Sequence, residues 1–424
     1  MWVAQRVPPD HISVVTNAYV IGEIDLDDTS NYMASSNIFA VATNIGLYDP
    51  STDVFDFAQI YRSAAGHVLP GFKNPPMLRD RRRWVVYHTA APSQVFNPYD
   101  EHTWNDDDTS LPFSIKPDKL LSVRDVFRLH RDTYQNTQFD IAKSGASGPF
   151  GDPFRGKMPH PMNDTDPNWE GSFERAVAQL WTSYTVISQS RAHIPDERGG
   201  GRFFFGPHSA MTTLFTPVYP VAAKNTERLP TNLEVGSLQR FSGDSFWWVV
   251  TLTANYAARF MSYNLPVIEE EQKTLEEMML AVTRKAEEAA VAAESDEAAG
   301  AILEQMQEEI SATMFMSWNT FFYWMVGNLH DGLFFRPTAE GGVDLYKKVF
   351  YPRWWAEFLG AKGAGYAETH VAGVEGAVEE GARNGGEGVA VSTLVVVAGC
   401  ALLVGGAIGN FRRKGEEHKY QVIV

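Results

Sequence analysis

Hydrophobic residues at the start of the chain follow a pattern that predicts two β-strands. The first begins at Trp2, and the second is a β-branched run at residues 12–16. The Pro-Pro-Asp sequence at residues 8–10 favours a turn between them. The second strand ends at Asn17, where an amide has poor strand propensity but can donate a hydrogen bond.

Alternating apolar and polar residues predict a β-hairpin farther along the chain. Residues 184–191 alternate as a strand does, the glycine-rich residues 195–201 turn the chain, and residues 202–205 return it. Residues 212–219 supply another short strand. Arg191 lies on the first of these strands in an aromatic environment, where an arginine is rarely left without an anionic partner.

One helix and one further strand are predicted between these two regions. Residues 122–135 form the helix, with Ser122 as its N-cap and Asp125 in its first turn. Residues 84–89 form the strand, and the basic run at residues 79–83 precedes it. That run is either a solvated strand edge or a grip for a substrate carboxylate.

Apolar residues recur at helical spacing in two long stretches after residue 265. They predict a helical hairpin that packs on the preceding domain or projects partly as a coiled coil. The methionine and tryptophan residues of the second stretch indicate core packing rather than a cofactor site. The two stripes are Leu265, Ile268, Leu275, Met279 and Val282, then Ile302, Met306, Ile310, Met314, Trp318, Phe322 and Met325.

The C-terminal part of the chain has the pattern of a membrane anchor. Residues 360–387 are rich in Gly, Ala and Glu and predict a flexible linker. Residues 388–409 are uncharged and apolar over about the 20 residues that a bilayer requires. Because Arg412, Arg413 and Lys414 follow at once, the tail at residues 410–424 is expected in the cytosol, and the main domain in a lumen or outside the cell.

Composition narrows the range of partners. The formal net charge of −16 argues against a nucleic-acid partner, because phosphate binding needs a concentrated basic face. No cofactor or metal is expected, since the chain lacks zinc-ligand spacings and phosphate loops. The acidic residues at 25–28 indicate a solvated turn rather than a calcium loop. Gly405 and Gly409 leave open a homo-oligomer formed through the predicted span.

An ordered set of short motifs resembles the cysteine dipeptidases of the dipeptidase A and secernin type. The resemblance covers roughly residues 2–270. It implies an α+β fold, the αββα sandwich of N-terminal-nucleophile (Ntn) hydrolases, and cleavage of dipeptides by an N-terminal cysteine. The motifs are WVAQRVP at residues 2–8, ISVVTNAY at 12–19, PFSIKPDK at 112–119, SQSR at 188–191, FGP at 205–207 and SFWW at 245–248.

The chain departs from this family at the nucleophile. Its one cysteine, Cys400, lies in the predicted span and cannot match the family's N-terminal cysteine. We therefore expect the native polypeptide to be longer than this chain. By the resemblance, Asn17 is a candidate oxyanion donor, with a turn-forming role as the alternative. Arg191 either contacts the substrate or the nucleophile's surroundings, or forms a structural salt bridge.

These expectations combine into one predicted organisation. A partial Ntn-hydrolase-like domain spans residues 1–265, a helical region packed on it spans 266–359, and the linker, transmembrane helix and tail follow. The expected function is that of a single-pass type I membrane dipeptidase. The alternatives are a catalytically inactive, membrane-anchored binding protein and a structural surface protein with an acidic helical stalk.

Overall fold

The computed structural model describes residues 1–16, 19–61, 80–98, 111–143, 145–154, 176–222 and 230–361. The described chain mixes helices with short antiparallel strands, which confirms the α+β class. No sheet within these ranges has more than three strands, so the four-layer sandwich stays a prediction.

The N-terminal strands form, but they do not pair with each other. Strand β1 (Val3–Gln5) pairs with β3 (Tyr32–Ala34), and β2 (Ile12–Ser13) pairs with β4 (Ser114–Ile115). The predicted turn is present, since His11 N–H donates to the Pro8 carbonyl at 3.0 Å. Instead of reversing the chain into a hairpin, this turn sends the two strands to different partners. Helix α1 (Ile38–Asn44) follows β3 and buries Ile38 and Ala42 in a small apolar core.

The strand predicted at residues 84–89 is wrong, because Asp80–Ala90 forms helix α2. Its β-branched and aromatic residues favour a strand by propensity, but burial of Val85, Val86 and Tyr87 in one core overrides that preference. The solvated strand edge proposed for residues 79–83 is also wrong. Arg81 and Arg83 are only 5% and 3% exposed.

Helix α3 (Val123–His130) begins at the predicted residue and ends five residues early. Ser122 and Asp125 form a complete capping box, with the Asp125 N–H donating to Ser122 Oγ at 3.3 Å. Tyr134 and Asn136 both have positive φ angles, 65° and 64°, a backbone conformation that a right-handed helix cannot include. The chain therefore leaves the helix before the predicted end at residue 135.

The predicted hairpin is confirmed as strands β5 (Tyr184–Ser190) and β6 (Gly201–Pro207), with β7 (Thr216–Val218) alongside β6. Arg191 lies one residue past the end of β5. The strand predicted at residues 212–219 is limited to its last part. Residues 208–215 form instead a connection in which every residue is buried.

Two long helices, α6 (Met261–Val291) and α7 (Asp296–Asn328), form the predicted helical hairpin. Helices α4 (Thr231–Glu234) and α5 (Phe246–Ala257) precede them. The helical hairpin packs on the sheet of strands β5, β6 and β7 and shares the main hydrophobic core with it. It therefore does not project as a coiled coil. Trp318 and the stripe methionines Met279, Met306, Met314 and Met325 lie buried in this core.

A strand meander occupies part of the range that was predicted to be helical. It consists of β8 (Leu329–His330), β9 (Leu333–Pro337) and β10 (Val343–Lys348), and helix α8 (Arg353–Ala361) follows. Among the described residues, none of the helices has the length and apolarity to cross a bilayer. The predicted span at residues 388–409 lies outside the described residues.

Candidate active site

Strands β2 and β4 bring together two of the motifs identified in the sequence. Ile12 lies opposite Ile115, and Ser13 lies opposite Ser114. The second motif is fixed by helix α2, because Arg83 donates to the carbonyls of Leu111 and Pro112, each at 3.0 Å. The hydroxyl of Tyr87 donates to the Phe113 carbonyl at 2.9 Å. Here Arg83 therefore binds main-chain carbonyls.

Asn17, the predicted oxyanion donor, lies outside the described residues. The last residue before it, Thr16, has a buried hydroxyl with no hydrogen-bond partner among the described residues. Such buried, unsatisfied groups are costly and uncommon in folded proteins. The role of Asn17 stays a prediction.

Arg191 lies in a buried ionic cluster. Its guanidinium contacts Glu287 Oε1 at 2.7 Å and also donates to the Gly199 carbonyl. Arg202 reaches the same carboxylate oxygen at 2.7 Å, and the hydroxyl of Tyr219 donates to it as well. Arg191 therefore has the anionic partner that its burial requires, and its role toward a substrate stays a prediction.

The charges in this cluster are unequal. Two guanidinium groups share the single carboxylate of Glu287. The exposed fraction of each of these three side chains is 11% or less. Burial acts to lower the pKa of the Arg191 guanidinium, but the hydrogen bond and charge of Glu287 outweigh it, so that pKa is raised. Burial raises the pKa of Tyr219, which keeps its phenol protonated. The cluster thus carries an excess positive charge.

The C-terminal end of helix α6 binds a further arginine. Glu287 lies in the last turns of this helix, and Arg198 donates to the carbonyl of Val291, its last residue, at 2.7 Å. The C-terminal end of a helix carries a partial negative charge that favours nearby cations. Glu287 could not be predicted from the sequence, because nothing distinguishes it from the other acidic residues around it. Its one signal was that a buried Arg191 must have a carboxylate partner.

The buried connection at residues 208–215 has unsatisfied polar groups. Three polar atoms here are buried and find no hydrogen-bond partner in the described part of the chain, His208 Nδ1, Ser209 Oγ and Thr212 Oγ1. His208 has a left-handed φ of 62°, and burial lowers its pKa to about 4, so its imidazole is neutral at physiological pH. Its ring packs edge-on against Trp247, with centroids 5.4 Å apart.

Two further contacts tie this connection to the motif residues. The His208 N–H and the Trp247 indole N–H both donate to the Ser183 carbonyl, at 2.8 Å and 3.0 Å. Trp247 belongs to the SFWW motif, and His208 directly follows the FGP motif. The two motifs therefore meet at the Tyr184 end of β5.

Helices α3 and α6 hold the same connection from the other side. Arg131 contacts both oxygens of Glu276, and it donates through Nε to the Ala210 carbonyl at 3.0 Å. Gln272 donates to the carbonyls of Met211 and Thr213 at 3.1 Å and 2.8 Å. The unsatisfied groups are thus presented on a rigid support.

The structure does not bring all candidate residues to one place. His208 adjoins the pair Tyr184 and Pro207, and Arg191 follows the pair Ser190 and Gly201, at opposite ends of the β5–β6 ladder. Six residue steps along a strand correspond to about 20 Å. Arg191 and the 208–212 groups therefore cannot contact the same atom of a small substrate.

The acidic and histidine side chains of the described part of the chain do not form a metal-binding cluster. There, no group of three or more His, Cys, Asp or Glu side chains is arranged to hold an ion. At the acidic turn, Asp25 Oδ1 accepts from the Asp27 N–H at 3.0 Å, and Asp28 accepts from Ser30 and Asn31 at 2.6 Å and 2.7 Å. Cys400 lies outside the described residues.

Comparison with known proteins gives a family match over the region just described. The sequence model of peptidase family C69 matches residues 1–274. A probable dipeptidase of Salmonella dublin is 32% identical over 139 residues, which are 33% of this chain and 29% of that protein. Dipeptidase A of Lactobacillus helveticus is 24% identical over 254 residues, which are 60% of this chain and 44% of that protein. The chain thus matches less than half of the length of each of these curated relatives.

Proposed function

Because the chain belongs to peptidase family C69, we propose that the protein hydrolyses dipeptides. The observation that carries this proposal is the family match over residues 1–274, which includes every motif that led to the dipeptidase resemblance. Two curated relatives from different genera are named as dipeptidases, which supports the same substrate class. The fold adds support, since two pairs of these motifs lie in contact, residues 12–13 with 114–115 and the FGP motif with the SFWW motif.

The chemistry of this proposal is attack of a cysteine thiolate on the peptide carbonyl, after which the C–N bond breaks and the C-terminal amino acid leaves. Water then hydrolyses the thioester, which releases the N-terminal amino acid and restores the thiol. A free α-amino group has an unperturbed pKa of about 7.7–8.0 and can move the proton near neutral pH. Asn17 donates to the oxyanion, a contribution typically of about 3 kcal/mol. Cys400 does not supply the thiolate, since the long apolar stretch around it is the proposed membrane span. The proposal therefore assigns the attack to a cysteine other than Cys400.

Arg191 is proposed to attract the terminal carboxylate of a dipeptide substrate. Its cluster has two guanidinium groups for one carboxylate, so an additional anion nearby is electrostatically favoured. The substrate carboxylate supplies such an anion. Glu287 holds the guanidinium in place and keeps it charged.

The proposal includes membrane attachment through residues 388–409. Its support is the uncharged apolar run and the basic residues that follow it. In the resulting type I orientation, the peptidase domain faces a lumen or the cell exterior. Alkaline carbonate should leave the protein in the membrane pellet, and recovery in the supernatant would refute the attachment.

Hydrolysis is tested with protein purified from cells that express it naturally. We expect release of free amino acids from dipeptides, and weaker hydrolysis of the same dipeptides with an amidated carboxyl end. A thiol reagent should block turnover in both wild type and Cys400→Ser, which is the matched control for the nucleophile. Protein that is folded yet inert to a broad dipeptide panel would refute the enzyme and favour a binding protein.

A further inference from the structure

The last strand and the last helix of the described chain carry a group of exposed apolar side chains. Seven large apolar side chains within residues 343–358 are exposed to solvent. We call this the 343–358 surface. They are Val343, Leu345, Tyr346, Phe350, Tyr351, Trp354 and Phe358.

Within the described chain most of this surface is open to solvent, although the ring of Tyr351 stacks on that of Phe150 with centroids 5.5 Å apart. All six residues of strand β10 are exposed, on both faces of the strand, and β10 lies at the edge of its sheet. Phe350 and Tyr351 are 74% and 68% exposed, although aromatic side chains of this size are usually well buried. A concentration of this kind marks an interaction site more often than a chance exposure.

We propose that the 343–358 surface rests on the lipid bilayer to which the protein is anchored. Tryptophan and tyrosine prefer the bilayer interface, where an apolar ring and a polar edge are both accommodated. The surface carries three basic side chains and two acidic ones, a small net positive charge in a chain whose net charge is −16. Arg353 pairs with Glu357 at 2.8 Å, which leaves Lys347 and Lys348 against Asp344. Aromatic side chains with a net positive charge favour binding in the headgroup region.

The position of the surface along the chain identifies the membrane as its partner. Helix α8 ends at Ala361, and the predicted span begins at residue 388. A flexible linker of that length has a typical end-to-end distance of about 30 Å. The surface is thus tethered close to the bilayer. The inference rests on the proposed membrane attachment and is independent of dipeptide hydrolysis.

The test uses the full chain in lipid vesicles, in a Cys400→Ser background. A polarity-sensitive fluorophore is attached at Phe350→Cys, and spin-labelled lipids with the quencher near the headgroup are added. Leu238→Cys is the matched control, because Leu238 is 73% exposed and Phe350 is 74% exposed. We expect lipid quenching at residue 350 to exceed that at residue 238 at least threefold. Adding Trp354→Ser should reduce the quenching at residue 350 toward the control.

Three outcomes would overturn the inference. Equal quenching at residues 350 and 238, in protein that resists carbonate extraction, would show an anchored domain that does not rest on the bilayer. Shielding of residue 350 that persists without lipid, together with a doubled mass in solution, would identify a second copy of the chain as the partner. Extraction of the protein by carbonate would remove the attachment and this inference together, whatever the dipeptidase assay gives.

Discussion

Glu287 is the shared anion of the buried ionic cluster, because one of its carboxylate oxygens lies 2.7 Å from both Arg191 and Arg202. Replacement of Glu287 by glutamine keeps its size but leaves two buried guanidinium groups without an anion. Removing one partner of a buried ion pair costs about 3–5 kcal/mol. With two cations affected, we expect Glu287→Gln to lower the free energy of unfolding by about 4–5 kcal/mol, measured by urea denaturation with tryptophan fluorescence.

The matched control lies on the same helix. Glu277 pairs with Arg124 at 2.8 Å, but both side chains are 47% exposed. An exposed pair is worth about 0–1 kcal/mol, so Glu277→Gln should shift the denaturation midpoint little. If the two variants lose similar stability, or if Glu287→Gln loses less than about 1 kcal/mol, the buried cluster does not stabilise the fold as argued.

Four further substitutions test other local features of the structure. Burial raises the pKa of Asp132 from 3.8 to about 6. This group therefore contributes stability below pH 4, and that contribution is lost as the pH rises through 6. The free energy of unfolding of Asp132→Asn should rise relative to wild type by up to about 3 kcal/mol between these pH values. Burial lowers the pKa of His208 from 6.5 to about 4, so its contribution to stability is lost as the pH falls through that range. The stability of His208→Asn should therefore rise relative to wild type as the pH falls. Urea midpoints from pH 4 to 8 that run parallel for both variants and wild type would contradict both statements. Ser122→Ala should cost about 1 kcal/mol through loss of the α3 cap, and an unchanged midpoint would show that the cap is dispensable. A methyl group on Gly206 would lie 2.7 Å from Thr213 Cγ2, so Gly206→Ala should lower the free energy of unfolding by about 1–3 kcal/mol. In the same strand, a methyl group on Gly201 would meet open space, so Gly201→Ala should lower it far less. Equal losses would refute the packing argument.

Elements with a local signal were predictable from the sequence. Ser122 and Asp125 mark a helix start by themselves, and the glycine-rich turn fixes the β5–β6 hairpin. The two stripes of apolar residues predicted both long helices, because helical spacing can be recognised in the sequence without knowing what the helices pack against. In each case the residues that decide the structure lie within a few positions of one another.

The errors came from contacts between distant residues. Helix α2 has the composition of a strand, and only the core around Tyr87 makes it helical. Strands β1 and β2 are joined by the predicted turn, yet their partners lie about 30 and 100 residues away. Propensity cannot indicate such pairings.

The candidate site was predictable only in part for the same reason. Arg191 was identified by its need for an anion, but Glu287 lies about 100 residues beyond it. The unsatisfied groups of His208, Ser209 and Thr212 give no sequence signal, because only the burial of their connection makes them notable. Their separation from Arg191 follows from the strand register, which the sequence suggests only loosely.

The most direct test of the proposed chemistry is to identify the cysteine whose modification stops dipeptide hydrolysis. Active protein from its natural source would be alkylated stepwise with iodoacetamide, and turnover and the modified peptides would be measured on the same samples. We predict that activity falls in proportion to modification of an N-terminal cysteine, with Cys400 modified independently or not at all. Loss of activity that follows Cys400, or full activity after complete alkylation, would contradict cysteine-dependent hydrolysis of the kind proposed for this C69 family member.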